Sequence, residues 1–167
     1  MDPVFAWIEQ MPLSDWLREA DTFFAFPAVL TVHVISLGLV VGSAVALDLR
    51  ALGFLREIPA KAMDAFVGLI WVAFIFVIAS GLLLVIAYPT KALTNPLFYF
   101  KLGCILLAVW ALVAVRRRMG TSATGNVSFR VKTAAVASIG LWAIAITSGR
   151  FLAYTCTRLM VDFGKCP

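Results

Sequence analysis

The chain alternates between long apolar runs and short polar ones. Four runs reach the length of about 20 mostly apolar residues that a helix needs to cross a bilayer. They cover about Phe24–Leu47, Phe66–Tyr88, Leu97–Val115 and Lys132–Tyr154. The first holds His33 as its only ionisable group, and the second holds none. Lys101 stands near the start of the third and Arg150 near the end of the fourth. The linkers are short, so neighbouring helices run antiparallel. The pattern predicts an all-α integral membrane four-helix bundle, one domain over residues 1–167.

The first 22 residues follow a different rule. Val4, Trp7, Ile8 and Met11 share one face at helical spacing, with Glu9 and Gln10 off it. Pro12 breaks that turn, and Ser14 is placed to cap a second one from Asp15 to Phe23. Residues of about 3–22 therefore read as an N-terminal amphipathic helix lying in the membrane interface. The alternative is a helix packed across the mouth of the bundle.

Composition agrees with the membrane reading. The chain is 62% hydrophobic and 14% charged, against about 45–50% and about 25% in soluble domains. That excludes a water-soluble enzyme, a disordered chain and a nucleic-acid-binding domain. The net charge of +5 reports topology instead. Arg50, Arg56, Lys61, Arg116, Arg117, Arg118, Arg130 and Lys132 fall in two loops on one side. Arg18, Lys91, Lys101, Arg150, Arg158 and Lys165 fall on the other. The positive-inside rule puts the two loops in the cytoplasm and both termini outside. No basic n-region opens the chain, so no cleavable signal peptide is expected. The expected location is a bacterial inner membrane, crossed several times.

This orientation gathers the polar residues of the spans in one layer. At about 1.5 Å rise per residue, His33 lies about 13 Å below the outer surface, Lys101 about 6 Å and Cys104 about 10 Å. Ser80, Ser148 and Arg150 fall in the same outer half, and Ser36, Gly81, Gly103 and Gly149 lie at similar levels. Ionisable groups at membrane depth are costly, so each is a candidate site. One imidazole and two cations suit a b-type haem. His33 would be the axial ligand to the metal, with Lys101 and Arg150 paired to the propionates. The small residues would leave room for the macrocycle. A quinone headgroup is the second candidate ligand. A third reading is structural, with His33 bonded to a serine or carbonyl of a neighbouring helix, and with Lys101 and Arg150 reaching lipid phosphates. The chain has one histidine, so a haem held by two histidines would need two copies.

Other features carry structural expectations. Gly38 and Gly42, extended by Ala46, form a small-residue stripe that permits close helix approach, within the chain or in a homo-oligomer. His33 lies about 180° from Gly42 around the helix. Asp48 is expected to pair with a basic residue and pin the helix end, with proton entry as a lesser reading. Arg116–Arg118 reads as an anchor on anionic lipid. Trp71, Trp110 and Trp142 read as packing or lipid-facing residues, and Cys104 as a small packing residue. Cys156 and Cys166 in the outer tail are expected to form a disulfide. No C-x-x-C pair exists, so neither a zinc ribbon nor a thioredoxin motif is available.

Three segments carry a resemblance. They are Phe26-Pro-Ala-Val-Leu-Thr-Val-His33 continuing through Gly38, Gly42 and Asp48-Leu-Arg50-Ala-Leu-Gly53, then Asn95-Pro-Leu-Phe-Tyr-Phe-Lys101, then Ser148-Gly-Arg150-Phe-Leu-Ala-Tyr154. From about Ser14 to Tyr154 the chain resembles an uncharacterised bacterial family of small four-span membrane proteins. More distantly it is similar to the membrane domain of copper-resistance D proteins and to cytochrome b561-like bundles. Those likenesses imply copper handling or haem electron transfer. The chain lacks the several histidines with which b561-like bundles hold two haems, and it lacks Met-rich or His-rich outer loops. The function expected is one-electron transfer through a b-type haem near the outer leaflet, with a redox partner or larger membrane complex. The competing class is a non-catalytic accessory or assembly subunit, or a quinone-binding subunit. A carrier would show helices broken within the bilayer by paired Gly and Pro, and none is visible.

Overall fold

The computed structural model describes residues 7–20, 24–55, 60–120 and 128–154. Within them the chain is helical, with no strand. A turn of helix at 7–9 leads into α1, Pro12–Glu19. Then follow α2 (Phe26–Leu52), α3 (Ala60–Ala87), the short α4 (Pro89–Leu93), α5 (Pro96–Gly120) and α6 (Phe129–Tyr154). Four of these are long and apolar enough to cross a membrane: Phe26–Leu52, Asp64–Ala87, Pro96–Arg118 and Phe129–Leu152. The expected spans sit inside or within two residues of these. The largest difference is at the end of the first, which runs about five residues past Leu47.

Each boundary has a local cause. Pro27 sits in the first turn of α2, where a missing N–H costs nothing. Gly53 ends that helix in the left-handed region at φ 102°, and its N–H bonds to the Leu49 and Arg50 carbonyls. Asn95 Oδ1 accepts the Leu97 N–H at 3.0 Å just ahead of α5, and Ser128 Oγ accepts the Arg130 N–H at the start of α6. Both are N-caps.

Two antiparallel pairs, α2 with α3 and α5 with α6, make the bundle, and α2 joins them by touching both α5 and α6. The core lies between the pairs. Val40, Ala44 and Leu47 of α2 pack with Ile70, Ala108 and Trp142. Trp142 is fully buried, whereas Trp71 and Trp110 face outward. Large apolar side chains cover the exterior of all four long helices. An apolar exterior at this density is the surface a bilayer covers, and the chain is a multi-pass membrane protein.

The N-terminal segment lies over one mouth of the bundle and is bonded to it. Ser14 and Leu17 point inward and are buried. Ser14 Oγ donates to the Ile86 carbonyl at 3.0 Å, an acceptor in the last turn of α3 that its own helix leaves unsatisfied. Thr90 Oγ1 donates to Glu9 Oε1 at 2.6 Å. Trp7, Leu13 and Trp16 stay exposed, so the same segment keeps an apolar face for the interface. Residues 3–6 and 21–23 of that expected helix lie outside the described residues. So do Cys156 and Cys166 and their expected disulfide.

One expectation is corrected. Asp48 forms no ion pair among the described residues. It is fully buried, and both its carboxylate oxygens lack a hydrogen-bond partner. The bridges observed are Arg18 to Asp15 at 2.8 Å and Arg116 to Asp64 at 3.9 Å. Asp48 faces into the bundle, whereas the loop arginines at 116–118 are exposed and do not reach it.

Candidate functional site

The polar layer forms at the bundle end that carries α1 and α4. His33, two turns inside α2, turns toward α3 and is half-buried. Its Nδ1 lies 2.9 Å from Ser80 Oγ. Ser80 is buried and donates its hydroxyl proton to the Phe76 carbonyl of its own helix. A hydroxyl has one proton to give. Ser80 Oγ lies closer to the Phe76 carbonyl than to His33, and with its one proton placed there Nδ1 donates to Ser80. The ring is then the Nδ1–H tautomer, assigned through the hydrogen-bond network, and Nε2 keeps its lone pair.

The glycine next to Ser80 explains how the ring fits. A Cβ at Gly81 would stand 3.3 Å from His33 Cε1, tighter than ordinary contact, and 3.7 Å from Nδ1. Gly81 thus makes room for the imidazole itself. Gly149 does the same for Lys101, where a Cβ would lie 3.2 Å from Nζ and 3.4 Å from Cε. Lys101 runs over α6 and is half-buried. Its ammonium has no hydrogen bond or ion pair among the described residues, and it is near enough to act electrostatically on the His33 ring. Among the described residues the layer therefore holds a cation without an ion pair beside an imidazole whose Nε2 is an acceptor.

The remaining candidates are placed as follows. Ser148 is buried, and its hydroxyl bonds to the Ile144 and Ala145 carbonyls of its own helix at 2.8 and 3.1 Å. Arg150 is exposed on α6. Ser36 is buried one turn below His33 on α2, and Cys104 is buried as a free thiol. A Cβ at Gly103 would meet nothing within 4 Å. Gly38 and Gly42 are exposed, again with open space above them, so the small-residue stripe looks away from the bundle while His33 looks into it. No group of three or more His, Cys, Asp or Glu among the described residues is placed to hold a metal ion.

Sequence reasoning found the layer but missed what orders it. The Phe76 carbonyl, which fixes the tautomer, belongs to a residue with no chemical signal of its own. An i−4 back-bond from a helical serine is a general habit, so Ser80 carried the only available clue. A second feature was invisible in the sequence. In the other half of the bundle an apolar groove of about 380 Å³ opens between α3 and α5. Val67, Ile70 and Phe74 form one wall, Val109 and Leu112 the other, and Trp142 closes the bottom. It contains none of the residues of the His33 layer. Where it opens depends on which helices do not touch, and that is a tertiary fact.

Comparison with known proteins gives one match. A family model described as Family of unknown function (DUF6644) matches residues 5–155. No curated protein and no solved structure matches the chain, so the more distant likeness to copper-resistance D proteins and b561-like bundles receives no support.

Proposed function

The chain belongs to the Family of unknown function (DUF6644), and from its own residues we propose a membrane-embedded b-type haem protein for one-electron transfer. His33 would hold the iron. The observation that carries this reading is the His33–Ser80–Phe76 relay. A histidine that ligates a metal donates its other ring N–H to a nearby acceptor, which fixes the tautomer and the ring plane. His33 has that arrangement, with Nε2 the free donor atom.

The donor set fits a haem on two counts. Nε2 supplies one axial nitrogen, and the unpaired Lys101 ammonium supplies a counter-charge for a propionate. Arg150, on the exposed side of α6, is the second cation in reach of a carboxylate at the interface. A bound haem would supply a one-electron iron couple. The chain's own residues set its surroundings. Ser80 would hold the imidazole in register, Gly81 leaves the ring its space beside α3, and Lys101 would favour an ionised propionate. With one histidine in the chain, a second protein nitrogen for the iron would have to come from a second copy. The loop arginines support an orientation with the His33 layer in the outer half of a bacterial inner membrane.

A quinone is the second reading, favoured by the same unpaired Lys101, which can donate to a quinone carbonyl. The Nδ1–H assignment favours iron over an oxidised quinone carbonyl. Nε2 without a proton cannot donate to a carbonyl but can bind iron. The structural reading of His33 is met by the Ser80 bond alone, and predicts no cofactor. The test is His33→Gly in protein expressed with ample haem. On the haem reading the variant is colourless and added imidazole restores the spectrum. Quinone extracted from wild type but not from the variant would replace haem by quinone.

A further inference from the structure

We propose that Asp48 and Ser138 form a buried binding site for a small monovalent cation, a proton or a sodium ion, in the half of the bundle away from His33. The site stands on unpaired atoms. Asp48 on α2 and Ser138 on α6 are each 0% exposed. Ser138 faces the Asp48 carboxyl closely enough to act on it, yet no formed hydrogen bond reaches either carboxylate oxygen or the Ser138 hydroxyl. One turn further along α6, the Nε1–H of Trp142 is also buried without a partner. Two acceptor oxygens, a hydroxyl and an indole donor thus stand unsatisfied within two neighbouring turns of the α2–α6 interface.

Charge balance decides what such a site takes. A carboxylate inside an apolar bundle needs a counter-charge or hydrogen bonds, because leaving it with neither costs several kcal/mol, to order of magnitude. No lysine or arginine among the described residues pairs with Asp48. Ser138, the side chain that acts on it, is neutral. Anions, with the same sign as the carboxylate, are excluded. A divalent ion would want several carboxylates, and no acidic cluster is present among the described residues. A single positive charge remains. A proton would sit on the carboxyl itself, with the Ser138 oxygen as acceptor. A sodium ion would take oxygen ligands from Asp48 and Ser138, completed by water.

The surroundings set the route of exchange. Asp48 lies about 6 Å, four residues, from the end of α2 at Leu52. One turn on, Ala51 packs with Val115, Val131 and Ala135, a plug of small and β-branched side chains between the carboxyl and the arginine-rich loops. Toward His33, the next turns of α2 on this face are Ala44 and Val41, which are apolar. The cation site is therefore independent of the His33 layer.

The test is infrared spectroscopy of the full-length protein in lipid vesicles, with the Asp48 signal isolated by subtracting Asp48→Asn. A carboxylic-acid carbonyl band of one group per chain, unchanged when sodium replaces potassium, supports the proton. A carboxylate signal that changes on that exchange, with about one sodium bound per chain and none in the variant, supports sodium. A carboxylate signal identical in both salts, with no acid band, overturns the site. Ser138→Ala removes only a hydroxyl and shifts the same band if Asp48→Asn does not fold. An Asp48 band unmoved by Ser138→Ala would remove Ser138 from the site.

Discussion

His33 Nδ1 and Ser80 Oγ meet at 2.9 Å across the interface of α2 and α3, while the same serine donates along its own helix to Phe76. The pair does two jobs at once. It ties the first two spanning helices together by a polar contact at membrane depth, where interhelical hydrogen bonds contribute about 0.6 kcal/mol and up to about 2. It also leaves Nε2 with its lone pair, and on the proposed function that atom binds iron.

Ser80→Ala removes the acceptor without touching the ligand. The expected result is haem that still binds but about 10–100-fold more weakly, the usual cost of losing a partner behind a metal ligand. Haem titration of the apo protein checks this. Equal affinity in wild type and variant would show that the serine does not set the ring.

Lys101→Met removes the unpaired ammonium, and Lys101→Arg keeps the charge. The methionine variant should bind haem about tenfold more weakly, within the range of about 1.5–3 kcal/mol for hydrogen bonds to charged groups after allowance for a half-exposed position. The arginine variant should stay close to wild type. Equal loss in both would mean that the packing of the chain over Gly149, not its charge, is what matters.

The glycines divide by what lies above them. Gly81→Ala presses a methyl against the His33 ring, a rigid group already held by Ser80. Gly149→Ala meets the far end of a lysine that can swing aside. Gly→Ala in a helix gains about 1 kcal/mol of propensity, and overpacking costs about 1–3 kcal/mol. Thermal unfolding in detergent should therefore show Gly149→Ala as stable as wild type or more so, and Gly81→Ala as less stable. The reverse order would contradict the contacts described here.

Ser14→Ala uncovers the Ile86 carbonyl at the end of α3. The expected cost is about 1 kcal/mol, seen as a lower unfolding temperature together with faster proteolysis within residues 7–20. Thr90→Val should act in the same direction by freeing Glu9. A segment held only by lipid would show neither effect.

The sequence announced the spanning helices because bilayer thickness imposes a length that composition alone can meet. The apolar run stops at Leu47, where Asp48 and Arg50 follow. The helix continues to Leu52, since Asp48 turns inward and Gly53 supplies the left-handed stop. The level of His33, Ser80 and Lys101 was legible from rise per residue. Their azimuth was not, because a helix that is apolar all round gives no inward face to read. That is why Arg150, at the right level, proves to be exposed, and why Ser148 spends its hydroxyl on its own helix. The isolation of Asp48 was hidden for the same reason, as nothing in one sequence says which helix face it shares with Ser138.

A cofactor at His33 is tested by a reduced-minus-oxidised visible spectrum of detergent-purified protein, with haem quantified per chain. The account predicts a sharp α-band at about one haem per chain, lost in His33→Ala. A value of about one haem per two chains would keep the ligand and place the haem between copies. No band in protein expressed with ample haem, or a band that survives His33→Ala, would contradict it.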